Sequence, residues 1–163
     1  MVSDQVKDII NNFEQQHKLY GTMAELSAAQ LQILQDWNGN DSLQAALASV
    51  MTRRQQLMQE IITVNDENQR WQLEACDHWQ IGAFTISQLR GKIEEEQLQR
   101  LERVVRHLGT ILEKIDESDR KNQSIMSDLA APEPRPSSGT PAHTRKAGAA
   151  YRQAMEHGKK KGK

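Results

Sequence analysis

The chain has 163 residues, of which 37% are hydrophobic, 26% are charged and 4% are aromatic. This length fits one small domain with some chain to spare, and the scarcity of aromatic residues beside many Gln, Glu, Leu and Ala favours an all-α fold. Cys76 is the single cysteine, so an intrachain disulfide is excluded. Without a signal-peptide pattern or an apolar run of about 18 residues, we expect a cytoplasmic protein with no membrane insertion.

Charge divides the chain into two parts. From Pro132 onward eight Lys and Arg stand against two Glu, a net of +6, which leaves residues 1–131 at −7. All four prolines also lie in this C-terminal part, where they exclude a regular helix. We therefore predict a helical domain at 1–131 and, at 132–163, a Pro/Ser-rich linker with a basic, disordered tail.

The first helix is predicted from Ser3 to Asp36, with Ser3 or Asp4 as its cap. Its apolar residues recur at three- and four-residue intervals, interrupted by His17, Ser27 and Gln30. The members of this stripe are Val6, Ile9, Phe13, Tyr20, Met23, Leu31 and Leu34. The sequence WNGND at 37–41 ends the helix, because Asn-Gly favours a turn.

A second helix is predicted after Asp41, which forms a capping-box pattern with Gln44. Its stripe has the same spacing and contains one polar residue, Asn68. The stripe comprises Leu43, Ala46, Leu47, Val50, Leu57, Ile61, Val64, Asn68, Trp71, Ala75 and His78. Because the link to the first helix is short, the two helices should lie antiparallel.

The stretch HWQIGAFTISQLRGKIEEE at 78–96 is less regular. Gly82 and Gly91 each weaken a helix by about 1 kcal/mol, and Thr85 could cap a short turn of helix. This composition indicates a chain reversal containing a little helix, and one continuous helix through Gly82 remains the alternative.

The third helix has the clearest pattern, with the three- and four-residue steps of a coiled-coil seam. The seam positions are Leu98, Leu101, Val105, Leu108, Leu112, Ile115, Asp119, Asn122, Met126 and Leu129. Together these elements predict an antiparallel three-helix bundle, or a long helical hairpin with a coiled-coil-like third helix. The seam turns polar at Asp119 and Asn122 before apolar residues resume.

Residues that could support catalysis or metal binding are sparse. His17 lies in a single Glu-x-x-His pattern with Glu14, whereas a carboxylate-bridged metal pair needs two such patterns. Cys76 has the acidic neighbours Glu74 and Asp77, which disfavour a reactive thiolate, and neither a phosphate-binding loop nor a hydrolase motif is present. We expect no enzymatic activity, no metal, no cofactor and no small-molecule substrate.

Several of these features occur together in one known family. The hairpin, the segment TISQLRGKI at 85–93, the segment LEKIDESDRKNQSIMSDL at 112–129 and a Pro/Ser-rich tail containing Tyr151 resemble the FlgN family of flagellar export chaperones. The resemblance implies a cytoplasmic, non-catalytic protein that binds the hook-associated proteins FlgK and FlgL, the subunits of the hook–filament junction, before type III export. It also implies that the end of the third helix and the tail receive the client.

The polar break suggests how such a client could bind. If Asp119 and Asn122 weaken the seam, because an unsatisfied buried amide or carboxylate costs a few kcal/mol, the end of the helix could release and pair with a client helix. The predicted client-binding residues are Leu112, Ile115, Asn122, Ile125, Met126 and Leu129, and Tyr151 is a candidate contact for the export gate. Alternatively, the polar residues extend into water, or Asn122 sets the helix register.

Three other functions remain open at this point. A FliT-like chaperone for the filament cap is a related possibility, although it would be shorter. A structural coiled-coil protein would satisfy the seam with a second copy. The terminal GKKKGK could bind nucleic acid or another anionic surface, but no aromatic residues accompany it to stack on bases, so we do not expect nucleic-acid binding.

Overall fold

A computed structural model describes residues 2–130, and the structural statements below refer to these residues. The described chain forms α1 (Val2–Asp36), α2 (Leu43–Trp79), α3 (Ile86–Leu89) and α4 (Glu95–Ala130). Among these residues the only β pairing is an isolated bridge between Arg90 and Ile93. The all-α fold is confirmed, while the predictions for the linker, the tail and Tyr151 lie outside the described residues.

The helix starts differ from the predicted caps. α1 already begins at Val2, so Ser3 and Asp4 lie inside the helix and the capping prediction was wrong. α2 is capped by Ser42, whose Oγ accepts a hydrogen bond from the backbone N–H of Ala45 at 3.4 Å. Asp41 is one residue too early, and its backbone carbonyl instead accepts from the indole of Trp37 at 2.9 Å.

The chain reverses direction after α2, as predicted. The alternative of one continuous helix through Gly82 is excluded. Gln80 adopts a left-handed conformation with φ 51°, and the N–H of Ile81 bonds back to the carbonyl of Cys76 at 3.0 Å. Thr85 caps α3 by accepting from the N–H of Gln88 at 3.3 Å. The side-chain carbonyl of Gln88 then accepts from the N–H of Gly82 at 2.9 Å, which closes the turn.

α1 and α2 run antiparallel. Near the start of α1, Gln5 donates a hydrogen bond to Glu74 at 2.7 Å, and further along Asn12 donates to the carbonyl of Val64 at 3.0 Å. Residue numbers therefore fall along α2 as they rise along α1.

α1 and α4 run parallel, and α1 is the central helix. Arg100 donates to Glu14 at 2.8 Å, whereas Asp119 accepts from Ser27 at 2.6 Å. α1 packs closely against both α2 and α4, while the backbones of α2 and α4 make almost no close contact with each other. An up-down-up bundle results, in which α1 needs an apolar surface for two neighbours.

The core lies along α1 and occupies most of the bundle. It ends at Met23 and Ala24 in α1, at Leu57 in α2 and at Ile115 in α4. Its buried members are Val6, Ile9, Ile10, Phe13, Tyr20, Met23, Ala24, Leu57, Met58, Ile61, Ala75, Phe84, Leu89, Leu98, Leu101, Val104, Leu108, Leu112 and Ile115. Cys76 packs half-buried against this core.

Two seam predictions need correction, at Val105 and at His78. In α4 Val104 is buried and Val105 only half-buried, because α4 packs chiefly on α1 and turns this part of its surface toward it. His17 is half-buried, and His78 is exposed at the end of α2, where its ring lies edge-on to Trp79. His78 is therefore not part of the core-facing seam.

Candidate interaction site at the loop end of the bundle

A layer of polar side chains crosses all three long helices near the end of the bundle that carries the 37–42 loop. We call it the polar layer, and it consists of Ser27, Gln30, Arg54, Asp119 and Asn122. Ser27, Gln30 and Asn122 are buried, and the two charged residues are partly buried. The layer marks the end of the main core.

The centre of the polar layer is a bidentate ion pair. Arg54 Nη1 lies 2.9 Å from Asp119 Oδ1 and Nη2 lies 2.7 Å from Asp119 Oδ2, with side-chain exposures of 13% for Arg54 and 28% for Asp119. Two parallel N–H···O bonds to a carboxylate are the strongest arrangement available to arginine. This pair bridges α2 and α4 where their backbones stay apart.

Ser27 and Asn122 complete the layer between α1 and α4. Ser27 Oγ donates to Asp119 Oδ1 at 2.6 Å, and Asn122 Nδ2 donates to the backbone carbonyl of Ser27 at 3.1 Å. Asn122 Oδ1 is buried and has no hydrogen-bond partner among the described residues. One acceptor in an otherwise paired network is therefore left unsatisfied.

Gln30 joins the polar layer to methionine sulfur. Its Oε1 accepts from Arg54 Nη1 at 2.6 Å, and its Nε2 lies 3.8 Å from the sulfur of Met126. Arg54 Nε in turn lies 3.3 Å from the sulfur of Met23. The soft thioether groups thus contact the layer from the core side and from the loop-end side.

This geometry corrects the expectation that Asp119 is an unsatisfied charge. The carboxylate of Asp119 accepts from Arg54, Ser27 and, at 3.4 Å, Asn122. Asn122 is 2% exposed, so it does not extend into water either. Of the sequence-based alternatives, a buried polar residue that specifies how the helices align agrees best with the contacts observed.

The predicted client-binding residues fall into two groups. Leu112, Ile115 and Asn122 are buried in the bundle, so a client could reach them only after α4 had separated from α1. Ile125 is half-buried, whereas Met126 and Leu129 are each 39% exposed. We call these last three residues the end patch, and they are the predicted residues that a partner could contact without rearrangement.

Beyond the polar layer the bundle has few buried apolar side chains. Leu34 of α1 and Leu47 of α2 are buried there, and neither belongs to the main core cluster. Since Gln30 contacts Met126 and α1 runs parallel to α4, Leu34 lies about one turn further, at the level of Leu129. The loop end is therefore a small apolar unit that the polar layer separates from the main core.

A second polar cluster lies between α1 and α2 within the main core. Asn68 Nδ2 donates to Asn12 Oδ1 at 2.8 Å and to the carbonyl of Ile9 at 3.2 Å, and Gln16 Nε2 donates to Asn12 Oδ1 at 2.8 Å. Gln72 Nε2 donates to Asn68 Oδ1. The amides pair with one another in the interior, which gives them a structural role in aligning the hairpin.

Burial also raises the pKa of one core residue, Tyr20. Tyr20 is 4% exposed, and desolvation raises the pKa of its phenol from 10.0 to about 12. The ring therefore stays neutral in the folded protein at pH values where an exposed tyrosine would ionise.

The residues considered for chemistry have other surroundings. Glu14, the partner of His17 in the Glu-x-x-His pattern, forms an ion pair with Arg100 at 2.8 Å. Within residues 2–130 no three His, Cys, Asp or Glu side chains lie close enough together to hold a metal ion.

Sequence reasoning missed Arg54, although a signal for it was present. The α2 stripe passes from Val50 to Leu57, and Arg54 occupies the intermediate seam position. Ser27 in α1 and Asn122 in α4 interrupt their own stripes in the same way. When each helix of an up-down-up bundle has a polar residue at its seam, and these residues lie at the same height, they are expected to contact one another and form a polar layer.

Asn12 and Gln16 were also missed, because both lie beside the apolar stripe of α1. They are buried since α1 has neighbours on two sides and its covered surface is wider than one stripe.

None of the helices in the described chain is sufficiently long and apolar to cross a membrane. Comparison with known proteins adds no relative: no protein-family model, no curated protein and no solved structure matches the chain.

Proposed function

We propose that the protein is a non-catalytic export chaperone of the FlgN kind, which binds an amphipathic helix of a hook-associated protein at the loop end of its bundle. The observation that carries this proposal is the end patch, where Met126 and Leu129 are 39% exposed directly beyond the polar layer. The sequence resemblance supplies the class of client, together with the cytoplasmic location and delivery to the export gate.

The exposed area of the end patch sets a condition on binding. Fully burying a Met or Leu side chain contributes about 1.5–3 kcal/mol, so covering the exposed two-fifths of Met126 and of Leu129 contributes roughly 1 kcal/mol each. Stable protein interfaces bury on the order of 1,200–2,000 Å². Two partly exposed side chains are too few, so the client must also reach apolar residues that the closed loop end covers.

The polar layer makes such a rearrangement local. The last turns of α4 lie beyond the polar layer, at the level of Leu34, with Met126 in contact with Gln30, whereas the main core ends before the ion pair of Arg54 and Asp119. If these turns move aside, a client helix replaces their apolar contacts and the main core stays closed. Regions with few buried apolar contacts open at low cost, and Met126 suits a surface that accepts helices of different sequence.

The experiment is a co-purification of the full chain with a hook-associated client from the same organism. Replacing Met126 and Leu129 together with Glu should abolish capture, while helical content and the thermal midpoint stay near those of the wild type. Leu73→Glu is the matched control, because Leu73 is 72% exposed on α2, away from the end patch, and its variant should retain the client.

Two results would contradict the proposal. If the Met126/Leu129 variant loses stability and capture in equal measure, the residues belong to the core instead of a binding surface. If the variant keeps its client, binding lies elsewhere. A structural coiled-coil oligomer predicts that the molar mass from light scattering rises with protein concentration and falls in the same variant, whereas a chaperone without its client should remain monomeric or weakly dimeric.

A further inference from the structure

Two histidines from different helices face each other on the side of the bundle where α1 contacts α4. The ring centroids of His17 and His107 are 5.8 Å apart, with an angle of 42° between the ring planes. His17 is half-buried and His107 is exposed, so water reaches the pair. Neither ring belongs to the polar layer or to the end patch.

Both histidines are carried by parts of the helices that packing holds in place. On α1, His17 lies between the buried rings of Phe13 and Tyr20, and on α4, His107 is next to the buried Leu108. Side chains on packed helices keep a more constant separation than side chains on loops. The short distance between the rings is therefore a property of the folded bundle.

This separation matches two imidazoles that share one metal ion. A Zn–N bond of about 2.0–2.1 Å places each ring centroid about 3.2 Å from the ion, so centroids of two ligands lie about 5.2 Å apart at a tetrahedral angle and up to about 6.4 Å apart at wider angles. The observed 5.8 Å falls inside this interval. Neutral imidazole is a preferred ligand of zinc, copper and nickel ions.

We propose that His17 and His107 form a two-histidine binding site for a borderline divalent cation, namely Zn²⁺, Cu²⁺ or Ni²⁺. Glu14 is engaged with Arg100, and no group of three ligating side chains exists within residues 2–130, so water completes the coordination. The bound ion links α1 to α4 and stabilises the folded bundle, in which alone the two rings are adjacent.

The first test measures thermal unfolding of the full chain at about pH 8 and at increasing concentrations of ZnCl₂. The wild-type midpoint should rise steadily with the logarithm of zinc concentration once the site begins to fill. His17→Asn and His107→Asn should each lose the rise, because one imidazole cannot chelate. His78→Asn is the matched control and should keep it, since His78 is exposed and remote from the pair.

The second test counts the ligands directly with one equivalent of CuCl₂. The electron paramagnetic resonance spectrum should show coupling to two imidazole nitrogens in the wild type and in His78→Asn, and to fewer in the other two variants. Midpoints in EDTA identify a variant that has lost its fold, and His107 is exposed enough that its replacement should leave the fold intact. The proposal is overturned by a wild-type midpoint that zinc does not raise, by an equal rise in His17→Asn and His107→Asn, or by a copper spectrum that His107→Asn leaves unchanged.

Discussion

Arg54 of α2 and Asp119 of α4 join two helices whose backbones make almost no close contact, through paired hydrogen bonds of 2.9 and 2.7 Å. Asp119→Ala should lower the free energy of unfolding by about 2–4 kcal/mol, because it leaves the partly buried guanidinium of Arg54 without its counter-charge. The 28% exposure of Asp119 favours the lower end of this range. Urea denaturation measures the loss.

Replacing both partners should have a much smaller effect. Arg54→Met combined with Asp119→Leu exchanges the ion pair for apolar packing, which is often neutral or stabilising. We expect the double variant to lie within about 1 kcal/mol of the wild type. A double variant that is less stable than Asp119→Ala by the cost of Arg54→Met alone would show that the two side chains contribute independently and not as a pair.

Substitutions at Asn122 test whether the polar layer lowers the stability of the bundle and thereby lets the loop end open. Asn122→Leu should raise the free energy of unfolding by about 1 kcal/mol, because it removes a buried acceptor without a partner and adds apolar contact. On the proposed function, the same substitution should weaken client capture, since the loop end would open less readily.

The matched control at this position is Asn122→Asp, which replaces an amide nitrogen 3.4 Å from Asp119 Oδ1 with a carboxylate oxygen and should destabilise the bundle. Chemical denaturation and co-purification of the two variants give the comparison. If Asn122→Leu is more stable than the wild type but captures the client equally well, the polar layer does not control client binding.

Tyr20 should make stability fall at alkaline pH. Its pKa is raised to about 12 in the folded protein, so between pH 10 and 12 the unfolded chain loses the phenolic proton while the folded chain keeps it. The contribution is complete below about pH 10 and is lost as pH rises through the folded pKa, with a loss of about 2–3 kcal/mol.

Tyr20→Phe should remove this part of the pH dependence. Urea midpoints of both proteins at about pH 9 and pH 11.5 measure the difference, because the other titrating groups are common to the two chains. Parallel losses in the wild type and in Tyr20→Phe would contradict the raised pKa.

Two glycines should respond to alanine in opposite directions. Gly109 lies within α4 and a Cβ there would meet no atom within 4 Å, so Gly109→Ala should stabilise the protein by about 1 kcal/mol. Gly91 has φ +83° in the turn after α3, so Gly91→Ala should cost about 1 kcal/mol or more, despite equally open space. Urea denaturation compares both variants, and a gain at each position would show that the turn adapts.

Periodicity and turn chemistry were sufficient for the elements of the fold. The last residue of α1 is Asp36, as Asn38 and Gly39 indicate, and Thr85 caps the short helix for which its side chain is suited. These features depend on hydrogen bonds between residues that are close together in the chain, so the residue types and their spacing predict them.

Pairing within the interior could be predicted only in part. Asp119 and Asn122 were recognisable as polar residues at seam positions, yet their meaning depends on Arg54 and Ser27, which are 65 and 92 residues from Asp119. A carboxylate at a seam is costly when alone, and an arginine that faces it offsets this cost, but helix spacing does not reveal which side chain lies opposite.

The amino-acid sequence by itself determined the all-α class, the end of α1, the cap of α3 and the presence of a polar break late in α4, because each depends on local propensity and on a period along one helix. The tertiary structure decided that α1 is central, that Arg54 neutralises Asp119, that His17 meets His107 and that Met126 and Leu129 remain exposed. These outcomes arise from the direction and rotation of one helix against another, which the packing of whole side-chain surfaces sets.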